Sequence, residues 1–234
     1  MKTARPFTAV FISWCEAFDL NSLDSHGRRM DDVYKWTRHV YDLTRPFFLL
    51  GRNRLVDNLN PVSGATVLEM GCGTGYNLIR LAERRPDLQL IGVDASTAML
   101  EVAEQKIKRR GLAERIRLTH GYAESFRPQQ PLAAVFFSYS LSMMPDPLGA
   151  LRNASAMLER NGVIHVVDFG DLKSWFEPLR VQVFKFLNRF EVYPQPEVVG
   201  HLQHPGYLSC QWHWGRYCYS AQILCSPERP SRTE

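Results

Sequence analysis

The stretch TVLEMGCGTGYNLIRLAE, residues 66–83, decides the fold of this chain. Thr66 to Met70 reads as a short apolar strand, and glycines follow at positions 71, 73 and 75. From Tyr76 to Arg84 the apolar residues Leu78, Ile79 and Leu81 return at helical spacing. A strand that breaks into a glycine loop and then a helix cradles a nucleotide, because the loop's backbone N–H groups and the helix start face the ligand.

Two residues beside the loop say which nucleotide. The dinucleotide fingerprint is G-x-G-x-x-G, and its third glycine would fall on Tyr76. Glu69, at the end of the strand, would repel a diphosphate but suits a ligand that carries an ammonium and a sulfonium. The next strand ends in IGVD, which puts Asp94 about 20 residues past the loop, where a carboxylate accepts hydrogen bonds from both ribose hydroxyls. Glu69, the spaced glycines and Asp94 together point to S-adenosylmethionine, which has no phosphate to satisfy.

Outward from the loop, strand and helix alternate. Strands are expected at 66–70, 88–93, 116–120, 134–139 and 163–168, and helices at 76–84, 97–110 and 148–159. That order predicts a parallel sheet covered on both faces. A helix over 173–188 is followed by YLSCQWHWGRYCYSAQIL, whose period-two pattern on both sides of Gly215 predicts an antiparallel hairpin. Upstream, Val33, Trp36, Val40, Leu43 and Phe47 mark one helical face, and Tyr34, Arg38, Tyr41 and Arg45 mark a second. Pro46 breaks this helix, and a new one is expected through FFLLGRNRLVDNL. Residues 1–25 read as a poorly ordered extension, 26–230 as one domain, and 26–60 as its helical cap.

Composition sets the outer bounds. The chain has 234 residues, 45% of them hydrophobic, enough for one domain with a substantial core. A net charge of +4 is too mild for a nucleic-acid binder. The five cysteines lack paired metal-ligand spacing, so no metal is expected and reduced thiols in a cytoplasmic protein are the reading.

The same residues carry a resemblance. VLEMGCGTGYN, GVDAS and HGYAESF look like the first motif, ribose motif and adenine-side loop of the class I S-adenosylmethionine-dependent methyltransferases. The resemblance implies a Rossmann-like α/β fold with a seven-stranded, mostly parallel sheet, a C-terminal antiparallel hairpin and an N-terminal helical cap. It implies a cofactor site of Tyr41, Glu69, Gly71, Cys72, Gly73, Gly75, Asn77, Asp94, Ala95, Met99, Tyr122, Ala123 and Ser138. Tyr122 stands where many members have an acid, which leaves adenine to stacking and to the Ala123 backbone.

The fourth strand ends in FFSYSLSMMPDP, with Ser138, Tyr139 and Ser140 in place of the proline pair that base-amine methyltransferases carry. A small-molecule or lipid acceptor is therefore expected. MDDVYKWTRHVYDLTRPFFLLGRNRL, FFSYSLSMMPD, VVDFGD and WGRYCYSAQ together resemble the N-methyltransferase of betaine-lipid synthesis, which trimethylates diacylglyceryl-homoserine. Glu191 and Gln195 stand where more basic residues are expected. This resemblance implies a lipid acceptor at the inner membrane face, with Tyr34, Arg38, Arg45 and Ser140 binding it. It also implies association with the enzyme that makes diacylglyceryl-homoserine. Tyr41 and Tyr139 would wall the growing trimethylammonium by cation–π attraction, and Asp168 would orient the amine or take its proton through water. Phe47, Phe48, Leu49 and Leu50 with Arg45, Arg52 and Arg54 read as a surface resting on an anionic bilayer. Phosphatidylethanolamine, a quinone precursor or another small molecule is the alternative acceptor, and a non-catalytic cofactor-binding subunit the alternative role.

Overall fold

The computed structural model describes residues 48–189, 192–195, 198, 200, 201 and 207–224. The extension over 1–25, the cap up to residue 47, and Tyr34, Arg38, Tyr41 and Arg45 lie outside the described residues, as does Glu191. The elements in chain order are α1 (Arg52–Asn58), β1 (Thr66–Met70), α2 (Tyr76–Arg84), β2 (Gln89–Asp94), α3 (Thr97–Arg109), β3 (Ile116–His120) and β4 (Leu132–Ser138). A 3-10 turn (Leu141–Met143) leads to α4 (Pro147–Met157), β5 (Leu158–Phe169), α5 (Glu177–Asn188), β6 (Tyr207–His213) and β7 (Cys218–Leu224).

These strands form one seven-stranded sheet in the order β3-β2-β1-β4-β5-β7-β6. The first five pair in parallel, and β7 pairs antiparallel with both β5 and β6. Because side chains alternate along a strand, each parallel strand feeds two cores. Val67, Ala134 and Phe136 face a layer built with α1, α2, α3 and α5. Leu68, Met70, Val135 and Phe137 face the layer built with α4. Glu69 follows the parity of Val67, so its carboxylate is directed to the α2 side. The chain order reverses between β1 and β4, and in sheets of this kind the crevice beyond the carboxyl ends at that switch binds the ligand.

The boundaries depart from the sequence pattern where tertiary contacts override it. The strand expected at 134–139 runs from Leu132 to Ser138 and stops because Tyr139 takes a left-handed conformation, φ 57°. The helix expected to reach residue 159 ends at Met157, since Leu158 already pairs with Leu132. Residues 159–162 then bulge around Asn161, φ 66°, before regular pairing resumes at Val163. The helix expected through 47–59 is interrupted by Gly51, φ 84°, and is only seven residues long. α5 begins at Glu177, with Pro178 in its first turn, four residues later than expected.

Two helix starts are fixed by side chains. Ser96 Oγ accepts from Met99 N–H at the head of α3, and Asp146 Oδ1 accepts from Gly149 N–H at the head of α4. The hairpin turn at 214–216 has three successive positive φ values and is tied back to the sheet. Arg216 donates two hydrogen bonds of 2.6 Å to Asp171, and its guanidinium lies 3.8 Å over the Trp212 ring.

Gly92 in β2 tests how closely this layer is packed. A Cβ there would sit 2.5 Å from Leu78 Cδ1 and 2.9 Å from Cys72 Sγ. Gly92→Val is expected to cost about 1–3 kcal/mol by overpacking, read as a lower urea midpoint at unchanged slope.

Candidate functional site

The crevice at the β1/β4 switch is lined by the glycine loop, the ends of β1, β2 and β4, the loop after β3 and the 3-10 turn. The loop glycines explain the tight reversal: Gly71, Gly73 and Gly75 have φ 73°, 52° and 74°, conformations costly for any side chain. A Cβ on Gly71 would also approach Ser140 Cβ to 2.5 Å. Ser140 is set against that glycine by donating its hydroxyl to the Met70 carbonyl at 2.8 Å.

Glu69 is 1% exposed and accepts a 2.6 Å hydrogen bond from Asn77 Nδ2, which joins the end of β1 to the first turn of α2. With its amide oriented by that bond, Asn77 presents Oδ1, a buried acceptor with no hydrogen-bond partner. Ser138 Oγ, at the end of β4, is a second such buried atom. Both residues line the crevice.

Asp94 accepts from Gly73 N–H at 2.7 Å and from Ser96 N–H at 2.9 Å. One carboxylate thus fixes both the glycine loop and the start of α3. A carboxylate oxygen can accept more than one hydrogen bond, so a group of this kind is chemically suited to a diol. The field of the two carboxylates is felt at Cys72, whose thiol is pushed well above its ordinary value by burial and then by Asp94 and Glu69. The Cys72 side chain belongs to the core, so its backbone is what faces the crevice.

The loop after β3 supplies Gly121, Tyr122, Ala123 and Glu124. It is held from α4, where Asn153 Nδ2 donates to the carbonyls of Ala123 at 2.7 Å and Phe126 at 3.0 Å. Ala95 and Met99 close the wall below it.

The expected cofactor residues among the described ones, Gly75 excepted, line one crevice, as does Ser140. The expected catalytic pair is different. Tyr139 lines the crevice, but its hydroxyl donates to the Leu50 carbonyl and its ring lies edge-on to Phe169, with centroids 4.6 Å apart. It supplies a wall, not a free hydroxyl. Asp168 does not line the crevice and is 1% exposed. Its carboxylate accepts from Ser142 N–H at 3.1 Å and Phe169 N–H at 2.7 Å, so it braces the 3-10 turn from below. The expected bilayer surface is also corrected in part. Arg52 is 4% exposed and stacks on Tyr76 in the crevice, and Leu49 and Leu50 pack on the core. Arg54 is exposed.

Sequence reasoning missed Glu124 and Arg52 as lining residues. Burial raises the Glu124 carboxyl above its ordinary value. For Arg52 a signal existed: Arg52, Leu55, Val56 and Leu59 share one helical face at i, i+3, i+4 and i+7.

The geometry fits the sulfonium cofactor. Glu69 and Asn77 Oδ1 are of the acceptor type that suits an ammonium, the Asp94 carboxylate would suit ribose hydroxyls, and the carboxylates would oppose a diphosphate. Residues 67–162 match the family model of a methyltransferase domain. The sheet order, the glycine cradle and this match over residues 67–162 make the described part of the chain similar to class I S-adenosylmethionine-dependent methyltransferase domains, and S-adenosylmethionine is the cofactor that the crevice suits. Among curated proteins, the chain is similar to aklanonic acid methyltransferase DauC of Streptomyces sp. strain C5, 30% identical over 142 residues, 60% of this chain and 64% of that protein. It is likewise 30% identical over 144 residues to the demethylmenaquinone methyltransferase of Geobacillus stearothermophilus, 61% of this chain and 57% of that protein. The chain thus spans about three fifths of the length of these relatives. Among solved structures, a SAM-dependent methyltransferase of Aquifex aeolicus superposes with a TM-score of 0.60 at 18% identity, over 82% of this chain and 97% of that one.

Asp168 generates a pH prediction. Burial raises its carboxyl from 3.8 to about 6. The folded chain then binds more protons than the unfolded chain between those values, so this group's contribution to stability falls as pH rises from about 4 to about 6. Asp168→Asn is expected to remove that slope, which urea unfolding at a series of pH values would reveal as a flatter profile than the wild type's.

Proposed function

We propose that the chain is an S-adenosylmethionine-dependent N-methyltransferase whose acceptor is diacylglyceryl-homoserine, taken to its trimethylated betaine form. One observation carries the lipid part. An apolar groove lined by Phe48, Leu50, Trp175, Val183, Phe186 and Trp214 runs beside the crevice. The two share the Leu49–Leu50 segment: Leu49 lines the crevice, and the Leu50 carbonyl holds the Tyr139 hydroxyl. Around the groove Phe176, Leu179 and Trp214 are 76%, 50% and 50% exposed. Lys173, Lys185 and Arg189 stand exposed near them in sequence. A large apolar surface with basic neighbours suits an acceptor whose acyl chains remain in a bilayer while its head group enters the crevice. No helix among the described residues is long and apolar enough to cross a membrane. In this reading the protein works from the cytoplasmic face and receives its substrate from the enzyme that makes it.

When bound, the cofactor supplies an electrophilic methyl group on a sulfonium. The residues of this chain position and desolvate. Glu69 and Asn77 would hold the cofactor's amino-acid end, Asp94 its ribose, and the 121–124 loop its adenine. The Tyr139 ring and Ser140 stand at the end of β4, where the acceptor amine would enter. That amine must be neutral to react, and burial beside a cationic centre lowers its pKa. With Asp168 enclosed under the 3-10 turn, no carboxylate of β5 reaches the amine, and its proton leaves to water. Catalysis rests on orientation and exclusion of solvent.

The relatives named above favour a second reading, a quinone precursor or another small-molecule acceptor, whose apolar body would also suit the groove. Incubation with methyl-labelled cofactor in mixed micelles separates the two. Label is expected in diacylglyceryl-homoserine, and Phe186→Glu, on the groove wall, is expected to lower that rate several-fold. Label confined to a demethylmenaquinone or to phosphatidylethanolamine would move the assignment to that acceptor. Cofactor binding with no label in any acceptor would favour the non-catalytic subunit.

A further inference from the structure

We infer that the chain carries a second ligand site, for a phosphate-type oxyanion, on the face of the sheet between α1 and the C-terminal hairpin. A cavity of about 270 Å³ lies there, apart from the crevice, and Arg54, His165, Gln211, His213, Ser220 and Gln222 are among its lining residues. The strand register assembles this set. His165 pairs with Gln222, and Val167 with Ser220, across β5 and β7. Ser220 in turn pairs with Gln211, and Cys218 with His213, across β7 and β6. These residues share the parity of Val167, which faces the layer built with α1. On that face the apolar core gives way to a polar floor of imidazole, amide and hydroxyl groups, with Arg54 of α1 at its side.

The charge balance of this floor points to an anion. No carboxylate lines the cavity among the described residues. Asp57, the one acid of α1, is committed to Arg80 and Arg84, and neither β6 nor β7 carries an acid. Arg54 has no ion pair among the described residues. Its charge is felt at His213, whose imidazole is pushed down by burial and then by that guanidinium. His165 is half-buried and makes no side-chain hydrogen bond among the described residues. Burial lowers it from 6.5 to about 4. At neutral pH it is a neutral ring that has lost water without gaining a partner, which is costly until an acceptor meets its N–H. Arg54 and His213 are the other titratable groups that share the cavity with it. A guanidinium fork with imidazole, amide and hydroxyl donors offers more than the two oxygens of a carboxylate can take, and suits the oxygens of a phosphate. Trp214 lines both this cavity and the apolar groove, so a phospholipid lying along the groove could present that group, as could a soluble phosphate. The inference rests on neither the cofactor nor the acceptor reading.

NMR of the full chain during titration with inorganic phosphate tests it. The His165 and His213 ring resonances, assigned by their loss in His165→Gln and His213→Gln, are expected to shift saturably, and sodium chloride at matched ionic strength is expected to leave them in place. Phosphate is also expected to move the His165 titration upward from about 4. A bound anion favours the imidazolium, so binding tightens as pH falls. Arg54→Gln, at an exposed position, is expected to weaken phosphate by about tenfold or more at an unchanged urea midpoint. Co-sedimentation with phosphatidylglycerol vesicles separates the sources. Retention lowered both by Arg54→Gln and by added phosphate assigns the site to a lipid head group; retention indifferent to both, with the phosphate shifts intact, assigns it to a soluble phosphate. The absence of a saturable shift, an equal shift in sodium chloride, or full phosphate affinity in Arg54→Gln would overturn the inference.

Discussion

A carboxylate is buried at the end of the central strand, and the site is organised around it. Glu69 sits 1% exposed at the end of β1, where an uncompensated charge would be costly. The 2.6 Å bond from Asn77 compensates part of that cost and fixes the angle at which α2 leaves the glycine loop. Because the bond spans the loop, it sets the shape of the cradle between its ends. The same charge decides what the cradle accepts. A diphosphate would meet Glu69 and Asp94 at close range, whereas a ligand with an ammonium and a sulfonium meets two favourable partners. Burial first, and then these two carboxylates, raise the neighbouring Cys72 thiol.

The surrounding elements keep that arrangement rigid. Asp94 ties the loop at Gly73 to the start of α3. Ser140 closes over Gly71 while bonded to the Met70 carbonyl, so the end of β4 registers against the end of β1. Asp168 braces the 3-10 turn that borders the crevice, and Asn153 anchors the 121–124 loop from α4. The contacts of Asp94, Ser140 and Asp168 each join one strand end to a neighbouring strand's end or following loop, which is where a parallel sheet with a switch point concentrates its ligand contacts. Positions are set by backbone hydrogen bonds to buried side chains, and such sites lose little on binding because little remains to be ordered.

What the sequence shows and what it hides follow from range. The β1–loop–α2 unit, the parallel sheet implied by alternation, and Glu69 and Asp94 are legible because local pattern dictates them, while Asn77 follows from the motif resemblance. The hairpin around Gly215 is legible for the same reason. Tyr139 and Asp168 mislead, because their position at strand ends says that they are near the crevice but not which way they are committed. Leu50 captures the Tyr139 hydroxyl from 89 positions away in the chain, and Asp168 is taken by Ser142 from 26 positions away. Arg52 misleads in the opposite direction: its charge argues for solvent, while its spacing to Leu55 and Val56 argues for the interior. The stack on Tyr76 decides in favour of spacing.

The central claim is that the carboxylates of Glu69 and Asp94 make this crevice a sulfonium-cofactor site and exclude dinucleotides. Calorimetric titration of the wild-type chain with S-adenosylmethionine, and separately with NAD, tests it most directly. Saturable one-site binding of S-adenosylmethionine with no heat from NAD is the predicted result. Saturable binding of NAD, or silence toward S-adenosylmethionine, would contradict it.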